Sequence, residues 1–226
     1  MPRQQTVLVT AFEPFGGRSS NRSQLVLEHI IRAAASPKGI RPDVRVMTKL
    51  LPVSFDRLEK SLDRALACKP DVVVLLGESG PAEQLLLERV AVNRIDAPIP
   101  DNDGSQPRGR AVVADGPDAY FSTVRPKAAL AAVRKAGTAA ELSGDAGTYA
   151  CNALYYMTLH RLRRPTPRVP PVIFVHVPVR ARALSLRDAT KGVLALLRHL
   201  LDETAPKTRR SGPQVGTGSL QASRKA

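Results

Sequence analysis

The chain has little cysteine, few aromatic residues and no long apolar run, and each shortage closes off a class of protein. Two cysteines among 226 residues, Cys68 and Cys151, cannot build a disulfide framework, which fits a reducing compartment. Neither belongs to a C-x-x-C pair. The four histidines, His29, His160, His176 and His199, are scattered, so the ligand spacing of a metal site is missing and none is expected. No apolar run reaches the ~20 residues that a membrane-spanning helix needs. The opening Met1-Pro-Arg-Gln-Gln5 lacks the apolar segment and cleavage site of a signal peptide, so the expected location is the cytoplasm. Aromatic residues make up 4%, and none interleave with the basic runs as single-strand stacking platforms require.

What is present is charge, a globular balance of residues, and alternation. The net charge is +14, but its distribution is uneven. No acidic residue follows Glu203, and Lys207, Arg209, Arg210, Arg224 and Lys225 put five of the charges in a stretch rich in Gly, Ser, Thr and Pro. That stretch reads as a disordered tail over 204–226. Arg161, Arg163, Arg164 and Arg168 form a second cluster around one loop. A tail and a loop permit non-specific polyanion contact; no specific nucleic-acid reader and no membrane partner is expected. With 43% hydrophobic and 24% charged residues, positions 1–203 suffice for one buried core.

In order, a strand is expected over 6–11, a helix over 23–35, a strand over 44–50 and a helix over 55–67. Cys68 follows that helix as a structural or incidental residue. Asp71-Val-Val-Val-Leu-Leu76 is the strongest strand, apolar and β-branched as a strand buried on both faces is. Gly77-Glu-Ser-Gly-Pro81 is expected to turn the chain. Loops after strand ends are where open α/β sheets hold ligands, which makes Glu78 a candidate. Residues 85–93 form another apolar run with Glu88 inside it. A carboxylate there is costly unless bonded: it either forms a surface pair with Arg89 or is buried to orient another group. A long polar loop follows from Ile99 through Gly109, then a helix over 125–136, a short strand over 139–143 and a helix over 151–163. The last strand, 172–177, carries His176 near its carboxyl end, and a helix over 184–201 completes the chain. With no internal repeat and no linker before the tail, this alternation describes a single α/β domain. Its expected form is a three-layer α/β/α sandwich on a mostly parallel, twisted central sheet.

Two features invite chemistry. Gly16-Gly17 lacks the spacing and the lysine of a phosphate-binding loop, whereas Phe12 and Phe15 in the same tight loop suit either an apolar pocket wall or plain core packing. Cys151 falls where small residues give way to a helical pattern of Leu154, Met157 and Leu159. Free N–H groups and the helix dipole stabilise a thiolate at such a start, although an inert packing cysteine is the commoner case.

Taken together, six segments resemble the pyroglutamyl peptidase type I family of cysteine peptidases. They are Phe12-Glu-Pro-Phe-Gly-Gly17 with Asn21, Glu88-Arg-Val-Ala-Val-Asn93, Ile99-Pro-Asp-Asn with Gly104, Gly116-Pro with Ala119-Tyr-Phe-Ser-Thr123 and Lys127, Ala146-Gly-Thr-Tyr-Ala-Cys-Asn152, and Phe174 with His176-Val-Pro178. The resemblance implies a nucleophile at Cys151, a general base at His176 and an orienting carboxylate at Glu88. It also implies a lactam pocket walled by Phe12 and Phe15 and lined by Ile99, Tyr149 and Ala150. The implied substrates are N-terminally pyroglutamylated peptides, with no cofactor, and family members are often dimers or tetramers. Three places depart from the family pattern. Gly77-Glu-Ser-Gly-Pro-Ala82 replaces Gly-Gln-Ala-Gly-Gly-Arg, Asn21-Arg-Ser-Gln24 replaces Asn-Pro-Ser-Trp, and Pro98 stands where an arginine is usual. Pro98 offers neither charge nor N–H, and loss of one oxyanion donor typically costs about 100- to 1000-fold in rate. The alternatives to a pyroglutamyl peptidase are thus a family member with altered or weak acyl-amide activity, and a non-enzymatic basic binding protein.

Overall fold

Three runs, β1 (Gln5–Phe12), β3 (Val72–Ser79) and β8 (Val172–Pro178), lie side by side as parallel strands, because each can bury both faces only at the centre of a sheet. β2 (Val44–Leu51), partly exposed, pairs parallel with β1 at the edge. The computed structural model describes residues 4–36, 40–41, 43–163, 169–180 and 182–205. The expected tail, with Arg164 and Arg168 of the loop cluster, lies outside the described residues apart from Thr204 and Ala205. The sheet has six strands in the order β2-β1-β3-β8-β4-β7, where β4 is Leu85–Glu88 and β7 is Ala140–Ser143. β4 runs antiparallel to β8 and parallel to β7, so only this edge reverses direction.

Helices α1 (Arg22–Ala35), α3 (Pro126–Lys135) and α5 (Leu186–Thr204) cover one face, over a core that includes Val7, Val74, Ile173 and Leu196. Helices α2 (Phe55–Leu66) and α4 (Ala150–Leu162) cover the other, over Leu8, Leu75, Tyr155 and Phe174. This is the expected three-layer α/β/α sandwich. α4 departs from a one-sided amphipathic helix. Ala150 and every residue from Asn152 to Leu159 are buried, because the helix lies against the sheet, α2 and a small second sheet. That second sheet pairs β5 (Val90–Val92) with β6 (Ala119–Phe121).

Two strand readings change. β3 does not turn at Gly77 but continues to Ser79, since Gly77, Glu78 and Ser79 pair with His176, Val177 and Pro178 on β8. The run 85–93 is not one segment. It breaks at Arg89, whose N–H donates to Ser143 O and whose carbonyl accepts from Ser122 N, and beyond it the chain leaves the main sheet for β6. β6, three residues long, is absent from the sequence reading.

Candidate active site

The site begins with Gly77. Side chains on one strand face alternate sides of the sheet, and Leu75 and Phe174 belong to the α2/α4 side, so Gly77 and His176 face α4. A Cβ built on Gly77 would lie 2.7 Å from Cys151 Sγ and 2.7 Å from Phe174 Cζ. Glycine is needed here for space: it lets the thiol settle onto the sheet beside the histidine.

Cys151 is the second residue of α4 and is half-buried. Tyr149 caps the helix without a side-chain hydrogen bond, and the first N–H to find a backbone acceptor is that of Ala153, which donates to Tyr149 O. The N–H groups of Ala150, Cys151 and Asn152 have no partner among the described residues, so the positive end of the helix is open beside the thiol. Asn152 fixes this end. Its side chain accepts from Val92 N (2.9 Å) and donates to Val92 O and Arg94 O (2.9 and 3.0 Å), tying α4 to the chain that leaves β4.

His176 and Glu88 meet through strand register. Leu86 lies opposite His176 and Glu88 opposite Phe174 in the antiparallel β4–β8 pair. Glu88 is therefore the diagonal neighbour of His176 on the same face. Its Oε1 lies 2.7 Å from His176 Nδ1, and Glu88 has no exposed surface. The surface pair with Arg89 does not form. Among the described residues Glu88 Oε2 has no hydrogen-bond partner, and the histidine is the only side chain hydrogen-bonded to this carboxylate. Burial acts to lower the His176 pKa, but side-chain hydrogen bonds and charge interactions with Cys151 and Glu88 outweigh it and push the pKa up to about 9. With Nδ1 on Glu88, Nε2 is the nitrogen left for Cys151, and both Glu88 and Cys151 act on the charge of this imidazole.

On the far side of Cys151 a narrow cleft is lined by Phe12, Phe15, Asn21, Val53, Glu78, Tyr149 and Ala150. The Phe15 and Tyr149 rings stand 6.1 Å apart, and only about 10 Å³ remains free between the walls. Ile99 sits farther out, 42% exposed, with its Cδ1 4.0 Å from a Cβ built on Gly16. Gly16 and Gly17 both adopt positive φ (62° and 74°), which lets the loop after β1 turn tightly. The Tyr149 hydroxyl donates to Pro100 O (3.1 Å), and burial is the main force pushing its pKa up to about 12. Pro98 is exposed in the turn before Ile99.

Glu78 lines the cleft with both carboxylate oxygens engaged. Oε2 accepts from Arg22 N at the start of α1, and Oε1 accepts from Arg18 Nη1 at 2.6 Å. The carboxylate thereby caps a helix and carries its own counter-charge. The sequence reading missed Arg18, Gly77 and Asn152 as parts of the site. Only the adjacency of Asn152 to Cys151 offered a signal.

Elsewhere the cations are partly spent. Arg161 is paired with Glu59 and Asp63, and Arg163 lies over the Tyr120 ring at 5.1 Å. No helix among the described residues is long and apolar enough to cross a membrane.

Comparison with known proteins shows which family the chain belongs to. Residues 5–197 match the family model described as pyroglutamyl peptidase. A pyrrolidone-carboxylate peptidase of Clavibacter michiganensis is 45% identical over 175 residues, 76% of this chain and 78% of that protein. One of Streptococcus pyogenes is 35% identical over 205 residues, 87% and 92% of the two chains. Among solved structures, a mutant pyrrolidone carboxyl peptidase of Pyrococcus furiosus superposes with a TM-score of 0.81 at 29% identity, covering 89% of this chain and all of that one. Pyroglutamyl peptidase I of Bacillus amyloliquefaciens superposes with a TM-score of 0.79 at 30% identity, covering 88% and 98%. The chain belongs to the pyroglutamyl peptidase family and is an enzyme.

Proposed function

We propose that the protein is a cysteine peptidase that hydrolyses the amide bond after an N-terminal pyroglutamyl residue, with Cys151, His176 and Glu88 as its catalytic residues. The observation that carries this reading is His176 held by the buried Glu88 on the strand position next to Gly77, over which the Cys151 thiol sits at an open helix start.

The lactam ring is neutral and flat, with one N–H and one C=O, so it suits apolar walls and a few backbone partners. Phe12, Phe15, Tyr149 and Ala150 supply those walls, and Ile99 flanks the entrance. An N-terminal glutamate or glutamine brings a charged amine that this apolar cleft leaves unpaired, and it is rejected. Glu78, neutralised by Arg18 and the start of α1, shapes the floor without presenting a free charge.

Cys151 Sγ, as the thiolate, attacks the pyroglutamyl carbonyl carbon. The resulting oxyanion takes hydrogen bonds from unclaimed N–H groups at the start of α4, that of Cys151 first. The C–N bond breaks as His176 gives its proton to the departing amine, leaving a thioester on Cys151. His176, now neutral, takes a proton from water, whose oxygen attacks the thioester. Pyroglutamate departs and the thiolate–imidazolium pair is restored. Glu88 holds the Nδ1 tautomer and offsets the imidazolium charge throughout.

The test is turnover of a chromogenic pyroglutamyl arylamide by the wild type beside Cys151→Ala. The expected result is ready hydrolysis by the wild type and loss of at least about 10³-fold in the variant. Equal rates in the two proteins would remove the reading.

A further inference from the structure

The order of strands gives the scissile bond a direction. Across one face of the sheet, the pyroglutamyl cleft lies toward β1 and β2, because Phe12 ends β1 and Val53 follows β2. Cys151 Sγ stands over Gly77 on β3, and His176 is the next residue in the same lateral row. The row continues, for His176 lies opposite Leu86 on β4, and Leu86 beside Glu141 on the edge strand β7. Leu85, Leu87 and Ala140 belong to the core on the opposite face, so Leu86 and Glu141 share the face of His176. The amine released in acylation must sit within reach of His176. With the acyl group held on the β1 side, the departing peptide runs outward over β4 and β7.

A cleft of about 340 Å³ lies there, lined by Leu86, Glu141, Glu83, Gln84, Pro81 and Ala82. Leu86 is half-buried, while Glu83 and Glu141 are exposed and in no ion pair among the described residues. We infer that this groove holds the peptide beyond the pyroglutamyl residue and that Glu141, with Glu83, selects cationic side chains in its first two positions. The inference rests on the pyroglutamyl peptidase reading and adds to it the chemistry of the leaving group. Two strand spacings, about 10 Å, separate the backbones of His176 and Glu141. A lysine or arginine in one of the first two leaving positions can span that distance, its methylenes over Leu86 and its charge at Glu141. Arg180 and Arg182 line an adjoining cleft on the far side of Glu83 and Gln84, next to Ala139 and Ala183.

The experiment compares kcat/KM for two pyroglutamyl peptide amides that differ only in carrying two lysines or two glutamates directly after the pyroglutamyl residue. The neutral pyroglutamyl arylamide serves as the common reference. The wild type should favour the lysine peptide by about fivefold at low salt, as expected for exposed charge pairs, and the preference should flatten as salt screens it. Glu141→Lys should erase or reverse the order, and Glu83→Lys should weaken it. Both positions are exposed, so both variants should fold. Turnover of the arylamide with no charge preference, or an order unchanged in both variants, overturns the groove alone. No turnover of any substrate by the wild type overturns the peptidase reading, and the groove falls with it.

Discussion

Cys68 and Cys151 are both half-buried against the same apolar core, yet they stand at opposite kinds of helix end. Cys68 follows the C-terminus of α2, where carbonyl groups gather. Its thiol donates to Ala65 O at 3.2 Å, and burial pushes its pKa up. Cys151 sits in the first turn of α4, with unclaimed N–H groups on one side and His176 on the other. The negative end of a helix therefore faces Cys68 and the positive end of another faces Cys151. Residue type and burial are alike at the two positions. The difference lies in helix polarity and in a histidine that is itself held by a carboxylate.

The largest effect should come from removing that carboxylate. Glu88→Gln keeps the shape at the end of β4 but cancels the charge behind His176, and the amide can enforce the wrong imidazole tautomer. We expect kcat/KM for the arylamide to fall by about 10²- to 10⁴-fold, and the share of stability that Glu88 lends by raising the His176 pKa to be lost with it. A loss under threefold would mean that Cys151 owes its reactivity to the helix start alone.

A smaller effect sharpens the contrast directly. Iodoacetamide at neutral pH should modify Cys151 about 100-fold faster than Cys68, with activity falling in step. Peptide mass mapping decides it. Faster labelling of Cys68, with activity lost, would reverse the assignment of the two cysteines.

Much of this was open to the sequence, for reasons that differ from element to element. Val72 to Leu76 reads as a central strand because five consecutive apolar residues leave no exposed face, and all five are inaccessible in the fold. The helix boundaries fall within one to three residues of expectation because the caps are local: Asn21, Ser54 and Ser185 each accept from an N–H of the first turn. The break at Arg89 is different. Residues 85–93 are apolar on both sides of it, and only Ser143 and Ser122, distant in sequence, decide that the chain changes sheets there. Glu78 follows the same logic, since its strand pairing and its ties to Arg18 and Arg22 come from other segments. Cys151, His176 and Glu88 could be singled out through a family resemblance. Their convergence depends on the antiparallel register of β4 and β8, which no local pattern encodes.

The smallest effect, and the one that isolates what Cys151 and His176 do for each other, is on stability. The folded His176 pKa is pushed up to about 9 against an ordinary 6.5 because Cys151 and Glu88 together outweigh burial. A group whose pKa is raised on folding stabilises the protein fully below its unfolded value and loses that contribution as pH rises through the folded value. The contribution of His176 should thus be complete below about pH 6.5 and disappear by about pH 9, with a size on the order of 1–3 kcal/mol. Cys151→Ala removes one of the two partners that raise the pKa, so its decline should finish at lower pH, whereas Cys68→Ala should follow the wild type. Urea unfolding at three pH values across this window, with an NMR titration of the His176 ring, measures both quantities. Coincident curves for Cys151→Ala and Cys68→Ala would show that the two cysteines differ only in helix polarity, and that the histidine is tuned by Glu88 alone.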